Sequence, residues 1–515
     1  MKTKRQYFYN ALLLTAVALL MRTVAVSFNV YVSNIVGAEA MGLLSLVTSV
    51  YGFAVTLATS GIHLATVRTI SERLEKTQGA ENTRCLRSCL AYAAFFGTLS
   101  TLALFLFAAP IGNYVLKEPR TVKALYILSF TLLPIALCSV LNGYFTAVRR
   151  AWKNAICQVA EQGTKIALTT YLLLFVAPKT VEGCVLAILA GGAVAESLSL
   201  LLNLLLYLCD KRRFRHISPQ KHGQKPQVAR IALPVAISAY MRSGLVSIEH
   251  ILIPRGLSRY GAGNSAALSA YGSLHSMALP VVLYPAAILS SFAALLIPEI
   301  TEQQSAQNHR EIRYIAFRVY QMTLLFSIGV SAIMLFLSEE LGQVLYKSSE
   351  VAYYIRMLAP LVPIMYLDTA TDAMLKGLGE QVYSMNVNIA DALVSVISVA
   401  ILVPKIGILG YLVTIYITEI LNAALSITRL LRVSGFRPKI FRLLVLPLFS
   451  GVGATLIAHL IIRLLSHQTH TGATLALHVL LSTVIYITLL YLSGGFGKKD
   501  TRWLLGSILP PKCEK

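Results

Sequence analysis

The sequence predicts an all-α protein that crosses a membrane about fourteen times, and three observations carry that expectation. Of the 515 residues, 13% are charged and 56% hydrophobic, with a mean hydropathy of +0.67, where a soluble chain has about a quarter charged. Apolar runs of about twenty residues, each long enough to cross a hydrocarbon core of about 30 Å as a helix, recur along its whole length. The formal charge of +22 falls mostly in the short breaks between those runs. This pattern marks topology signals and excludes a nucleic-acid surface.

In chain order the first six runs lie at Phe8 to Ile35, Met41 to His63, Cys85 to Ala109, Val122 to Val148, Ala155 to Ala177 and Gly183 to Cys209. The next eight lie at Val228 to Ile253, Ala267 to Ile297, Ile315 to Leu337, Ala352 to Leu375, Tyr383 to Val403, Ile408 to Leu430, Leu443 to Leu465 and Thr474 to Leu492. The first is too long for the apolar core of a signal peptide and is expected to be retained. Lys and Arg concentrate at Arg73 to Arg87, Lys211 to Arg230 and Arg429 to Arg442. That bias places those segments and both termini on the cytoplasmic side of a bacterial cytoplasmic membrane.

The tract Lys211 to Gln227 is the longest polar segment. It divides an N-terminal lobe of six spans, residues 1–210, from a C-terminal lobe of six, residues 228–432. Residues 433–515 then hold spans 13 and 14 and a cytoplasmic tail. The tract suits a positive-inside connector, with anionic lipid head groups as an alternative partner. The seven cysteines are scattered and include no CxxC pair, so no metal or redox site is expected from them.

A charge near the bilayer centre costs at least about 2.5 kcal/mol on insertion scales, so such a residue faces a cavity or a partner. Arg22 is the sharpest case. No other charge occurs between Arg5 and Glu39, and Arg22 is more than about 20 Å of helical rise from either, too far to snorkel out. With Thr15 and Asn29 it makes a polar stripe on span 1. It either pairs with a carboxylate on a neighbouring helix or lines an anion-binding cavity.

Met21-Arg22 is echoed by Met241-Arg242 in span 7, and Gln158 and Glu161 in span 5 are echoed by Asn388 and Asp391 in span 11. Six spans separate the copies, which makes the repeat parallel. In span 7, Ser238, Arg242 and Glu249 share a face. In span 5, Glu161 and Lys165 are spaced to neutralise each other. The pairs Asp368/Asp372 and Asn388/Asp391 offer oxygen ligands for Na+ or a proton, or a structural hydrogen-bond network, while Glu196 and Glu419 stand singly. Pro280, Pro285 and Pro298, within or at the end of span 8, and Pro360 and Pro363 in span 10 predict bends there.

The segment LNGYFTAVRRAWKNAICQVAEQGTKI, Leu141 to Ile166, resembles the span 4 to span 5 region of the stage V sporulation protein B family of polysaccharide transporters. The stretch EHILIPRGL, Glu249 to Leu257, resembles the end of span 7 there, with Glu249 where an Asp is more usual. This family is a branch of the multidrug/oligosaccharidyl-lipid/polysaccharide exporter superfamily, beside the MurJ-type lipid II flippases and the MATE drug antiporters. The resemblance covers nearly the whole chain and implies two lobes around a cavity that opens alternately to each side. In MurJ-type relatives that cavity is cationic and holds an undecaprenyl pyrophosphate, and the last two helices shape a groove for the lipid tail. Arg22 matches the span 1 cation of that pattern. The expected cations of spans 2 and 8 are missing, since span 2 has none before Arg68 and span 8 has only His275. Matched by span, Glu249, Asn388, Asp391 and Thr414 correspond to a Na+ site in those relatives.

The expected function is therefore a flippase for lipid II or a related undecaprenyl-pyrophosphate glycan. Arg22, Asn29, Arg242, Glu161 and Lys165 are the substrate-cavity candidates, and Glu249, Asn388, Asp391 and Thr414 the candidates for coupling Na+ or H+. No other cofactor is expected. The partners are the lipid-linked glycan and membrane lipids, and the chain is expected to act as a monomer. The alternative is a MATE-type Na+/H+-coupled multidrug antiporter, which needs carboxylates where span 1 carries a cation. No P-loop or HExxH motif appears, so no enzyme is expected.

Overall fold

The computed structural model describes residues 2–76, 82–213, 228–435, 441–465 and 472–497. All but the first three residues of the tract Lys211 to Gln227, and the tail with Cys513, lie outside them. The described residues are helices joined by short turns, with no strand among them. Nine of these helices are long and apolar enough to cross a membrane, or ten if a pair bent by 41° counts as one. Each predicted apolar run is mostly helical, with internal turns at residues 60–61, 130–131 and 284–285. The number is smaller because the helices of predicted spans 5, 7 and 10 are not among them and because the stretch Val17–Ser71 counts once, yet at about 1.5 Å per residue it is over twice the thickness of the hydrocarbon core. Its helix α1 (Lys2–Thr59) breaks at Gly37, where φ is +80° and ψ 172°. Only glycine adopts that conformation without strain, and the break separates spans 1 and 2.

The chain packs into two compact units. The first holds Val36–Gly272 and Val399–Pro404. It contains the second half of α1, then α2 (Ile62–Lys76), α3 (Asn82–Pro110), α4 (Thr121–Ser129), α5 (Leu132–Ala147), α6 (Ala151–Tyr171), α7 (Val181–Arg213), α8 (Val228–Tyr260) and α9 (Asn264–Tyr271). Its core is fully buried Leu43, Ile62, Leu125, Leu132, Leu141 and Phe145. Helices in lipid gain little from the hydrophobic effect between themselves, so small residues that allow close approach decide the packing. Gly42 of α1 meets Gly272 just after α9, and a Cβ on either would overlap the other segment's backbone, at the carbonyls of Leu268 and Ala38. Arg150 and Lys153, at the start of α6, each reach Asp210 of α7 at 2.5 Å.

The second unit holds Met1–Ile35, Ser273–Ser398 and Lys405–Lys515. After the first half of α1 come α10 (Leu279–Leu283), α11 (Ala286–Ser305), α12 (His309–Phe336), α13 (Ser338–Tyr346), α14 (Ser349–Leu358), α15 (Val362–Gly377), α16 (Gln381–Ile406), α17 (Ile408–Ser434), α18 (Leu446–Leu465) and α19 (Gly472–Leu492). Helix breaks stand at three of the prolines expected to bend spans 8 and 10, whereas Pro298 lies inside the continuous helix α11. Pro285 stands between α10 and α11, and Pro360 and Pro363 stand at the junction of α14 with α15. Side-chain caps start α12 and α14, where Asn308 and Ser348 accept from Glu311 N and Val351 N at 3.3 Å. Arg429 of α17 holds Glu380 with Nη2 2.8 and 2.9 Å from its two oxygens.

Candidate functional site

Span 8 is a broken helix, and its freed carbonyls organise the polar residues of span 1 within the second unit. Residues Gly272–Ala278 form a π-helical stretch that leads into α10. Pro280 has no N–H to offer the carbonyl of Ser276 four residues back, and Asn29 Nδ2 donates to that carbonyl at 2.8 Å. At the end of α10, the N–H of Ala287 turns to Tyr284 O. The Leu283 carbonyl is thereby left to Arg22 Nη2, at 3.4 Å. The carbonyl of Val282 accepts from the Tyr366 hydroxyl at 2.7 Å. Thr23 and Tyr284 share a further hydroxyl contact at 2.9 Å.

Arg22 is exposed and forms no ion pair among the described residues. Of the two readings left open by the sequence, pairing with a carboxylate is not seen among the described residues. Thr15 lies outside the described side chains. His275 is half-buried and bonds the Tyr411 hydroxyl at 3.2 Å.

Arg242 belongs to α8 of the first unit, where it too is exposed with no ion pair among the described residues. Its neighbours on α8 face α1, with Ser243 accepting from Thr56 at 3.1 Å and Ser247 donating to Ser49 O at 2.7 Å. The spacing of Glu161 and Lys165 suggested self-neutralisation, but they form no ion pair in the structure. Lys165 instead lies across α7, its Cε 3.9 Å from where a Cβ on Gly192 would stand. Glu161 opens with Glu196, Gln158, Asn142, Asn154 and His63 onto a polar cavity of about 570 Å³. The sequence offered Glu196 no partner, and the fold supplies one, because the Tyr51 hydroxyl lies 3.2 Å from Glu196 Oε2 and 2.6 Å from Thr131 Oγ1.

The candidate cation ligands divide between the units. Glu249 is half-buried on α8 of the first. In the second, Asn388 donates to Ser384 O at 2.7 Å and Thr414 to Gly410 O at 2.8 Å, both within their own helices. Asp372 pairs with Lys376 at 2.6 Å and accepts from Ser384, which makes it a structural group. Asp391 on α16, Asp368 on α15 and Glu419 on α17 form a different set, with Glu419 in the electrostatic field of both aspartates.

An apolar cavity of about 450 Å³ lies between α11, α12 and α19 in the second unit, lined among others by Leu289, Phe326, Val330, Tyr486, Ile487 and Leu490. No sequence motif pointed to these residues, since every apolar span offers similar ones.

A model of the polysaccharide biosynthesis protein family matches residues 8–304, and a MatE model matches residues 257–402. Stage V sporulation protein B of Bacillus subtilis (strain 168) is 27% identical over 421 residues, which cover 79% of this chain and 80% of that protein. The lipid II flippase MurJ in an inward closed conformation aligns with a TM-score of 0.69 at 14% identity, over 93% of this chain and 98% of that one. An inward-facing multidrug resistance MATE family transporter aligns with a TM-score of 0.63 at 15% identity, over 82% and 98%. The two structures establish the fold as MATE- and MurJ-like, as the sequence predicted. The match over residues 8–304, more than half of the chain, shows that this multi-span membrane transporter belongs to the polysaccharide biosynthesis protein family.

Proposed function

We propose that the chain is a flippase that moves an undecaprenyl-pyrophosphate-linked glycan, lipid II or a related cell-wall precursor, from the inner to the outer leaflet by alternating access. The observation that carries this reading is Arg22: an exposed guanidinium inside an apolar span, seated on the Leu283 carbonyl, with no carboxylate paired to it among the described residues. A cation kept this way suits an anion, and the planar guanidinium fork suits a diphosphate in particular. Arg242 offers the second cation of the repeat. The apolar cavity against α19 supports the same cargo, since a polyprenyl tail needs a hydrocarbon-lined path beside the polar one. For coupling to Na+ or H+ the candidate within the second unit is Asp391, in whose field Glu419 lies together with that of Asp368.

The test is reconstitution of the purified chain in vesicles with a fluorescent polyprenyl-diphosphate glycan. Protein-dependent movement of that lipid to the far leaflet, faster than that of an uncharged polyprenyl glycan, is expected. Movement no faster than in protein-free vesicles would refute the reading.

A second reading, a MATE-type antiporter, is favoured by one observation. The first-unit cavity is lined by Glu161 and Glu196 and, among the described residues, by no Lys or Arg, which suits a cationic drug or a coupling ion. Expression in an efflux-deficient host separates the two, because an antiporter raises resistance to cationic drugs and a flippase leaves it unchanged.

A further inference from the structure

Glu340, His459 and His478 meet in the second unit at a place the transport reading does not use. His459 lies less than two turns before the end of α18 at Leu465, and His478 less than two turns after the start of α19 at Gly472. The two antiparallel helices bring both imidazoles to one level, where the rings stack with centroids 5.6 Å apart and planes 29° from parallel. Glu340 arrives from a separate element, the first turn of α13. One ligand atom from each residue lies within 4.8 Å of the other two. They border a cavity of about 170 Å³ that Arg463 and Thr474 also line. His478 is buried, Glu340 half-buried and His459 exposed, so the group is anchored on one side and open on the other.

We propose that these three side chains form a binding site for a divalent transition-metal ion of the zinc class. Two imidazoles and one carboxylate select such an ion over Mg2+ or Ca2+, which take oxygen ligands. Zinc–ligand bonds of about 2.0–2.2 Å at tetrahedral angles set ligand atoms roughly 3.3 Å apart. The observed spread of up to 4.8 Å leaves the ligand atoms to draw in by about 1.5 Å on binding. Three protein ligands leave one position for water. Arg463, one turn beyond His459, adds a positive charge at the rim that weakens the affinity and makes binding reversible.

A bound ion ties α13 to the α18–α19 pair. Thr483, Tyr486, Ile487 and Leu490 of α19 line the apolar cavity, so the ion steadies one wall of it. On the orientation expected from the basic residues this end faces outward, within reach of external Zn2+. Metal binding itself does not rest on the flippase reading.

The test uses the full chain, purified in detergent without a histidine tag and stripped with a chelator. Zn2+ is titrated against a chromophoric competitor, and Co2+ is added separately for its visible d–d absorption. The expected result is about one Zn2+ per chain and a low-symmetry Co2+ spectrum. H459N and E340Q should each weaken Zn2+ binding at least about tenfold. Zn2+ should also raise the unfolding temperature of the wild type and not that of H459N, whose exposed position leaves the metal-free value unchanged. H478N should behave likewise, with H459N and E340Q carrying the test if the buried substitution prevents folding. His467 and His470 lie between α18 and α19 in the sequence, and H467N/H470N should keep the ion. Zn2+ affinity unchanged in H459N and E340Q, or lost with H467N/H470N alone, would overturn the assignment.

Discussion

Replacing Arg22 is the sharpest test of how the chain holds its cargo, and the structure sets the size of the effect. A guanidinium has five N–H donors, and among the described residues a single long contact, Nη2 to Leu283 O at 3.4 Å, engages it. The remaining donors are available to a diphosphate. A unit charge about 4 Å from a phosphate oxygen is worth about 4 kcal/mol at an effective dielectric of about 20. Arg22 is exposed, so solvent screening lowers that to the net range of a hydrogen bond to a charged group, about 1.5–3 kcal/mol. Taking about 2 kcal/mol, Arg22→Ala should lower the kcat/KM for lipid flipping about 30-fold. Arg22→Gln, which keeps donors without charge, should match Ala. Arg22→Lys, which keeps charge without the fork, should fall between the wild type and these two, at about a 3- to 10-fold loss. The assay is initial flipping rate in vesicles over a range of lipid concentrations, with thermal unfolding of each variant alongside. Loss of the Leu283 contact should cost at most about 1 kcal/mol of stability. If folded Arg22→Ala and Arg22→Gln flip within about twofold of the wild type, Arg22 does not hold the cargo.

Three further outcomes follow from the packing. Val330→Trp fills the apolar cavity beside Tyr486 and should slow the flipping of a long-chain polyprenyl substrate while sparing a short-chain analogue; equal slowing of both would remove the cavity from the lipid path. Asp210→Asn strands Arg150 and Lys153, two cations each 2.5 Å from it, and should destabilise the chain by about 3 kcal/mol, read as a lower unfolding temperature that Lys153→Met partly restores. Gly42→Val drives a side chain into the Leu268 carbonyl and should cost more than about 3 kcal/mol, since backbone cannot yield as a side chain can; a monodisperse Val variant with wild-type unfolding temperature would show the crossing to be looser than described.

Arg22 was legible because nothing local excuses a cation there: it lies too far from either end of its apolar run to reach water. Span positions were legible for the same kind of reason, since a helix must satisfy its own backbone in lipid and a length of apolar residues is all that requires. The proline bends followed from missing N–H groups. What those bends were for did not follow, because the use of a freed carbonyl depends on which helix lies beside it. Asn29 and Arg22 find the carbonyls of Ser276 and Leu283 across about 250 residues of chain.

Pair spacing proved a poor guide within helices. Glu161 and Lys165 are suitably spaced and do not pair, while Asp372 and Lys376, at the same spacing, do. The difference lies in the neighbours: Lys165 lies against α7 at Gly192, and Glu196 with Tyr51 gives Glu161 a cavity to share. The sequence by itself determined the class of molecule, its span positions and one anomalous cation, all of which rest on burial costs set by each segment alone. Tertiary structure decided which carbonyls hold Arg22 and Asn29, where the apolar cavity lies and that Glu340, His459 and His478 meet, because side chains distant in sequence become neighbours only when helices pack.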